Sequence, residues 1–299
     1  MASQRQIDTT YNYMDETFRL AIGECADISC ALFDGDYRKS LERAQQDKHD
    51  YILASIRLRR GARILDIGCG WGPVLRAVES KGGHAIGLTL STRQLAACQS
   101  HGFEVYLQDW RELNPETFGL VDGIISVGSF EHFCSEEEHA AGRQEEIYRQ
   151  FFCVCSELLP DDGRLFLQSM VWGPKVPLFE NVSLDAPKGS NEYMLAVLRK
   201  FYPGSFLPRS LDQIRDCAQP FFRIMFTKNG RLDYVETMQR WRRMWSWRPR
   251  MLLALGKLAP MYLMDGDFRK QIESLLGNYN LKCLEREVID HERIVLEKV

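Results

Sequence analysis

Short apolar runs and amphipathic stretches alternate along the middle of the chain. Ala62–Ile67, His84–Leu88, Glu104–Leu107, Val121–Val127 and Arg164–Met170 are brief, apolar and bounded by turn residues, which predicts strands. Pro73–Ser80, Thr92–Ser100 and Glu145–Leu159 predict helices between them, the last stopped by Pro160. Upstream, apolar or small residues at Leu41, Ala44, Ile52, Leu53 and Ile56 predict a helix over Arg38–Arg60. This alternation predicts an open parallel sheet with helices on both faces and ligands beyond the carboxyl ends of its strands. Between 172 and 265 the rhythm breaks. Pro174, Pro177, Pro187, Pro203 and Pro208 precede a tryptophan-rich stretch, which reads as connections and helices covering the substrate side. Phe221–Phe226 predicts a returning strand, and Glu285–Glu297 a segment that closes the sheet edge. The organisation expected is one domain over 1–299: a helical cover (1–60), a core (61–171), a cap insertion (172–265) and a C-terminal edge (266–299).

Composition narrows the class. A chain of 299 residues, 45% hydrophobic, is ample for one large domain with a real core. The net charge of -3 argues against a nucleic-acid partner. The nine cysteines are scattered with no CxxC pair, and residues 1–25 lack the basic-then-apolar pattern of a signal peptide. Reduced thiols in a cytoplasmic setting are the plain expectation, and no metal site is assigned. The longest apolar stretch, Met251 to Met264, is broken by Lys257 and Pro260 and is too short to span a bilayer.

Gly68, Gly70 and Gly72 stand where a strand turns into a helix, and glycine there permits positive φ and close approach of a ligand. A triphosphate loop would need G-x-x-x-x-G-K-[ST], and a nicotinamide site G-x-G-x-x-G; this stretch has neither. The missing lysine points to a ligand without phosphates. A tight turn and nothing more is the alternative.

Asp66-Ile67-Gly68-Cys69-Gly70-Trp71-Gly72, followed by Gly87-Leu88-Thr89-Leu90-Ser91-Thr92-Arg93-Gln94, resembles motifs of S-adenosylmethionine-dependent methyltransferases. The second piece carries no acid for the ribose at the strand end; Thr89 and Gln94 stand instead. That is similar to the cyclopropane-fatty-acyl-phospholipid synthase family, which includes the mycolic acid cyclopropane synthases. Ile28-Ser29-Cys30-Ala31-Leu32-Phe33, Leu107-Gln108-Asp109-Trp110, Val127-Gly128-Ser129-Phe130-Glu131-His132-Phe133, the stretch Phe201 to Pro208, and Asp233-Tyr234 through Trp241 resemble further motifs of that family, in its order. The resemblance implies an α/β class I methyltransferase, Rossmann-like fold: a mostly parallel seven-stranded sheet with helices on both faces, N-terminal helices and a helical cap insertion.

It also implies S-adenosyl-L-methionine as donor, with the methionine part over Gly68 and Gly70 and Ser29 nearby. Thr89, Leu90 and Gln94 would hold the ribose, Asp109 would accept from the adenine amino group, and Trp110 would lie against the ring. Core packing is the alternative for Trp110, and an N-cap ahead of Arg111–Leu113 the alternative for Asp109. Asp66 is expected to fix the loop through backbone donors. In the family the methyl group goes to an alkene and a bound bicarbonate removes the proton, held by a Cys, a Glu, a His, a Tyr and a backbone carbonyl. Cys30, Glu131 and Tyr234 fall on those positions, with Val127 as the backbone position; the histidine is replaced by Gln168, which cannot carry a proton at neutral pH. Another family histidine becomes Asp233, and the chain is longer between Cys134 and Tyr148, where Glu136 to Arg143 is expected to border the site.

The leading expectation is therefore methyl transfer to carbon on an unsaturated lipid or isoprenoid-like chain. The alternative is a small-molecule N-methyltransferase of the coclaurine type, with Glu131 and His132 accepting the proton from an amine and no bicarbonate. A cofactor-binding protein that has lost activity, with Gln168 as its mark, is the third reading. For His132 a partly buried, hydrogen-bonded role stands beside the catalytic one, and for Cys30 plain burial. Cys69 is read as loop packing. Arg240, Arg242, Arg243, Arg248, Arg250 and Lys257 with Trp241, Trp245 and Trp247 suit a helix peripheral to an anionic membrane, and equally a lipid or prenyl diphosphate headgroup. A cap helix whose arginines face water is the alternative there.

Overall fold

The computed structural model describes residues 26–202, 204–244, 256, 259, 260, 262–266, 269 and 277–299. Pro203, Trp245, Trp247, Arg248, Arg250, Lys257 and residues 1–25 lie outside the described residues, and with them part of the basic stretch.

Seven strands form one sheet: β1 (Arg63–Ile67), β2 (His84–Thr89), β3 (Glu104–Leu107), β4 (Gly123–Val127), β5 (Arg164–Trp172), β6 (Phe222–Asn229) and β7 (Ile289–Lys298). Their order is β3-β2-β1-β4-β5-β7-β6. The first five run parallel, and β7 lies antiparallel to both β5 and β6. Chain order reverses between β1 and β4, which opens a crevice at their carboxyl ends.

Alternation along the strands builds one core on each face. Ile64, Ile125, Phe166 and Val295 pack with Ile52 and Leu53 from the Leu41–Ser55 helix, with Ile56 that caps its end, and with Val74, Leu75 and Val78 from the Pro73–Ser80 helix. Leu65, Ile124, Leu165, Leu167, Ile294 and Leu296 pack with Phe151, Phe152 and Leu158 from the Gln144–Leu158 helix and with Ile214 and Cys217 from the Leu211–Ala218 helix. A smaller cluster of Met194, Leu198, Leu207, Cys283, Leu284 and Ile289 lies under the Asn191–Phe201 and Tyr279–Glu285 helices.

Two expectations change. The first helix is shorter than Arg38–Arg60. Ser40 caps its start by accepting from the Arg43 amide, and Arg57 ends it in a left-handed conformation (φ 55°), where the Leu58 amide donates to Leu53 O. The last strand does not close the sheet edge. It is inserted between β5 and β6, and β6 is the edge. Ile294, Val295 and Leu296 are all buried, an unbroken apolar run that suits a strand covered on both faces.

This position predicts a contrast. Ile294→Ala should cost about 2–5 kcal/mol by leaving a cavity in β7. Thr227→Ala on the edge strand, where Thr227 is exposed, should change stability by about 0.5 kcal/mol or less. Urea midpoints at unchanged slope measure both.

Candidate active site

The carboxyl ends of the parallel strands are tied together by a chain of short bonds. The amides of Gly68 and Cys69 both donate to Leu88 O (2.9 Å each), fixing the loop after β1 to the end of β2. The Ser129 hydroxyl donates to Ile67 O (2.7 Å), joining the end of β4 to that of β1. Gly128 N donates to Gln168 O (2.9 Å), and Met170 N to Glu131 Oε1 (2.7 Å), joining β4 to β5.

Gly68 and Gly70 hold φ of 85° and 56°, which explains the bare backbone. A Cβ on Gly68 would meet Ser129 Cβ at 2.4 Å, so close packing against β4 excludes a side chain there. Gly70 is different: a Cβ there would meet nothing within 4 Å. Its bare face opens on free space at the crevice, as a cofactor cradle requires. Thr89 and Gln94 are buried, and the Thr89 hydroxyl donates to Gln94 Oε1 (2.8 Å). Leu90 is half-buried beside them.

Asp109 accepts from the Arg111 amide (3.0 Å) and pairs with its guanidinium (2.8 Å), so it does cap the short helix that follows. Trp110 is buried, its ring centroid 5.2 Å from Phe133 and 5.4 Å from Phe151, so core packing is what the structure gives it. Asp66 departs from expectation. Among the described residues no backbone donor reaches its carboxyl; burial pushes it up to about 7, with Lys48 pulling it down and Asp27 pushing it up.

Ser29 is held by a buried charged cluster absent from the sequence reading. Lys48 Nζ, fully buried on the Leu41–Ser55 helix, donates to Asp27 Oδ2 (2.5 Å) and Ser29 Oγ (2.6 Å). Ser29 Oγ donates to Asp27 Oδ1 (2.7 Å), Gln45 Nε2 to Ser29 O (3.0 Å), and His49 Nε2 lies 2.9 Å from Asp27 Oδ2. Burial opposes the charge on Asp27, but Lys48 and His49 overcome it and hold the carboxyl well below the usual range. The signal was faint: a lysine on the apolar side of a predicted helix.

Glu131 is buried in a short turn of helix after β4, and among the described residues its Oε2 has no partner. Burial raises its carboxyl to about 7 against the Met170 amide, which lowers it. His132 Nδ1 lies 2.6 Å from Ser205 Oγ, and burial lowers its imidazole to about 4. Cys30 is buried, its thiol pushed up to about 12 by burial and opposed by Arg293. Gln168 Oε1 accepts from the same Arg293 (3.3 Å). Tyr234, on the Arg231–Met244 helix, has its ring 5.1 Å from that of His291. The structure thus brings Cys30 and Gln168 together through Arg293 and puts Val127 opposite Gln168 in register.

The stretch after Cys134, expected to be longer than the family pattern, folds as a short helix, Glu136–Ala140, with a Ser135–Glu138 capping box. His139 stacks on Phe206 at 3.7 Å between ring centroids, and Glu136 pairs with Arg199. This stretch therefore packs against the segment whose Ser205 meets His132.

Residues 1–255 match the family model described as Mycolic acid cyclopropane synthetase. Cyclopropane mycolic acid synthase 2 of Mycobacterium leprae is 32% identical over 247 residues, covering 79% of this chain and 77% of that protein. A crystal structure of a mycolic acid cyclopropane synthase complexed with SAH and CTAB superposes with a TM-score of 0.77 at 25% identity, covering 99% of both chains. A coclaurine N-methyltransferase bound to N-methylheliamine and SAH has a TM-score of 0.75 at 16% identity, covering 99% of this chain and 82% of that one, a likeness of fold.

The buried Asp27–Lys48 pair predicts that Lys48→Met, which strands a buried carboxylate, costs about 3–5 kcal/mol, and that adding Asp27→Asn recovers much of it. Because the Asp27 carboxyl is held low, its contribution is present above its unfolded value of about 4 and is lost as pH falls toward the folded one. Denaturant melts of wild type and both variants between neutral and acid pH check this.

Proposed function

The chain belongs to the mycolic acid cyclopropane synthetase family and is an S-adenosylmethionine-dependent methyltransferase, and from that premise we propose that it methylates a carbon–carbon double bond of an unsaturated lipid or isoprenoid-like chain and then removes a proton so that a cyclopropane ring closes. The observation that carries this reading is Glu131: a buried carboxyl beyond β4, anchored through one oxygen and free at the other.

S-adenosylmethionine, when bound, supplies an electrophilic methyl group on a sulfonium. The chain's own part is to position, to exclude water and to handle the proton. Gly68 and Gly70 offer bare backbone to the methionine part, with Ser29 held nearby by Lys48. Thr89 orients the Gln94 amide for the ribose beside Leu90, and Asp109 and Trp110 border the adenine. Glu131 Oε2 takes the proton, directly or from the hydroxyl of a bicarbonate. The residues present fit bicarbonate in part: Oε2 is an unfilled acceptor, whereas Gln168 Oε1 and Cys30 Sγ are already engaged by Arg293. An acid near 7 suits this task, because at neutral pH its ionised form is populated and its basicity is not wasted.

Methylation of an amine is the second reading, supported by the likeness of fold. Its acceptor would again be Glu131, since His132 is lowered to about 4 and takes up Ser205. Contact with an anionic membrane also belongs to the proposal for a cytoplasmic enzyme of lipid. Arg242 and Arg243 are exposed on the Arg231–Met244 helix, and Arg240 on the same helix pairs with Glu236 and donates to the Tyr37 carbonyl. No helix among the described residues is long and apolar enough to cross a membrane.

Mass spectrometry of products from purified enzyme and mixed unsaturated lipids should show one CH2 gained on an alkene chain. A gain only on an amine would select the second reading. Glu131→Gln should lower kcat by about 10²–10⁴-fold with SAH affinity nearly unchanged by calorimetry. The wild-type kcat should rise with pH and level off above about 7, as Glu131 loses its proton; a profile flat from pH 5 to 8 would remove Glu131 as the base.

A further inference from the structure

Gln168 and Asp233 are both departures from the family pattern, and both are joined to one side chain that the sequence reading did not single out. Arg293 stands at the middle of β7, fully buried, opposite Gln168 in register. Its Nη1 donates to Asp233 Oδ2 (3.1 Å) and its Nε to Gln168 Oε1 (3.3 Å). Its Nη2 donates to Ala31 O (2.8 Å) and Cys30 Sγ (3.1 Å). Asp233 Oδ1 accepts from the Asp34 amide (3.2 Å), and Thr237 Oγ1 accepts from Ala31 N (3.1 Å) while donating to Asp233 O (2.7 Å). Gly230 makes room, since a Cβ there would lie 2.8 Å from Arg293 Nη1 and 2.4 Å from His291 Nδ1. Three separate pieces of chain thus meet on one guanidinium: the segment with Ser29 and Cys30, the helix with Tyr234, and β5 with Gln168.

We propose that Arg293 is a positioning residue for the transfer reaction: paired with Asp233, it holds Cys30, Gln168 and the Tyr234 helix in one arrangement and sets a permanent positive charge beside Cys30, in place of the two histidines of the family pattern. The proposal rests on the site described under Proposed function. Stability alone is a poor reason for such a pair. A buried ion pair replaced by well-packed apolar groups is often neutral or stabilising, whereas losing one partner is costly. A guanidinium also keeps its proton throughout the working pH range and offers a fixed fork of donors, which lysine does not. The fork matches the arrangement here, with Nε, Nη1 and Nη2 each serving a different piece of chain.

The test separates position from folding. Arg293→Gln alone leaves Asp233 buried and unpaired and should melt far below wild type. Arg293→Gln with Asp233→Asn removes both charges at similar volume. It should melt near wild type and bind SAH by calorimetry within about threefold, yet lose about tenfold or more in kcat. Arg293→Lys keeps the charge without the fork and should show the same split between SAH affinity and kcat; it decides the matter if the double variant does not fold. Wild-type kcat in a folded double variant or in Arg293→Lys would overturn the proposal, and so would equal losses in SAH affinity and kcat. The split is read on whichever acceptor the wild type methylates. An amine product would therefore defeat the alkene reading while leaving this result to stand or fall by itself.

Discussion

Buried charge must be paired, and two such pairs decide where the short segment 26–33 lies. Asp27–Lys48 ties it to the Leu41–Ser55 helix, and Asp233–Arg293 ties it to the antiparallel part of the sheet. The side chains of Lys48 and Arg293 are both fully buried, so neither cation has water as an alternative partner. Ser29 and Cys30 sit between these anchors, one bonded to Lys48 and the other to Arg293. The glycine loop supplies space and the strand ends supply direction. The segment that completes the site from the far side is set by electrostatics, because it has no strand or helix of its own.

The same burial sorts the acids by what reaches them. Asp27 meets a lysine and stays ionised; Asp66, close enough to feel Lys48 but bonded to no donor, rises to about 7. Glu131 rises to the same value with one amide as its anchor. Of these two acids, Glu131 is the one anchored through a single oxygen on the turn after β4, its other oxygen without a partner among the described residues. His132, its neighbour in sequence, is kept neutral by burial and engaged by Ser205. Adjacent residues thus receive opposite tendencies, because a carboxylate and an imidazolium lose hydration in opposite senses: burial raises the one and lowers the other.

The parallel core was legible because it rests on local rules. Strand and helix ends from Arg63 to Trp172 follow apolar spacing and turn residues, and the loop at 68–72 follows from backbone geometry that only glycine tolerates. The bland alternatives for Asp109 and Trp110 were legible too, as cap and core. What was missed depends on distance along the chain. Residues 30, 168, 233 and 293 meet through one side chain, and nothing local announces that meeting. The polar His291 and Arg293 ahead of Ile294-Val295-Leu296 were a signal, since a strand covered on both faces has no solvent side on which to put them. Read that way, β7 would have been placed inside the sheet, and its arginine asked for a partner.

That partner changes the meaning of the substitutions. A site that had decayed would leave the survivors of its network unsatisfied, each buried orphan costing about 1–3 kcal/mol. Gln168, Asp233 and Cys30 are instead all bonded, to one another's common donor and to backbone. Glu131 Oε2 and His291 Nδ1 are among the buried atoms left without a partner in the described residues. One belongs to the proposed base and the other lies against the Tyr234 ring. Loss of the histidine at 168 therefore does not argue for an inactive protein. Gln168 is bonded to an arginine that is itself paired with Asp233, and Glu131 Oε2, the acceptor proposed for the proton, stays unfilled among the described residues.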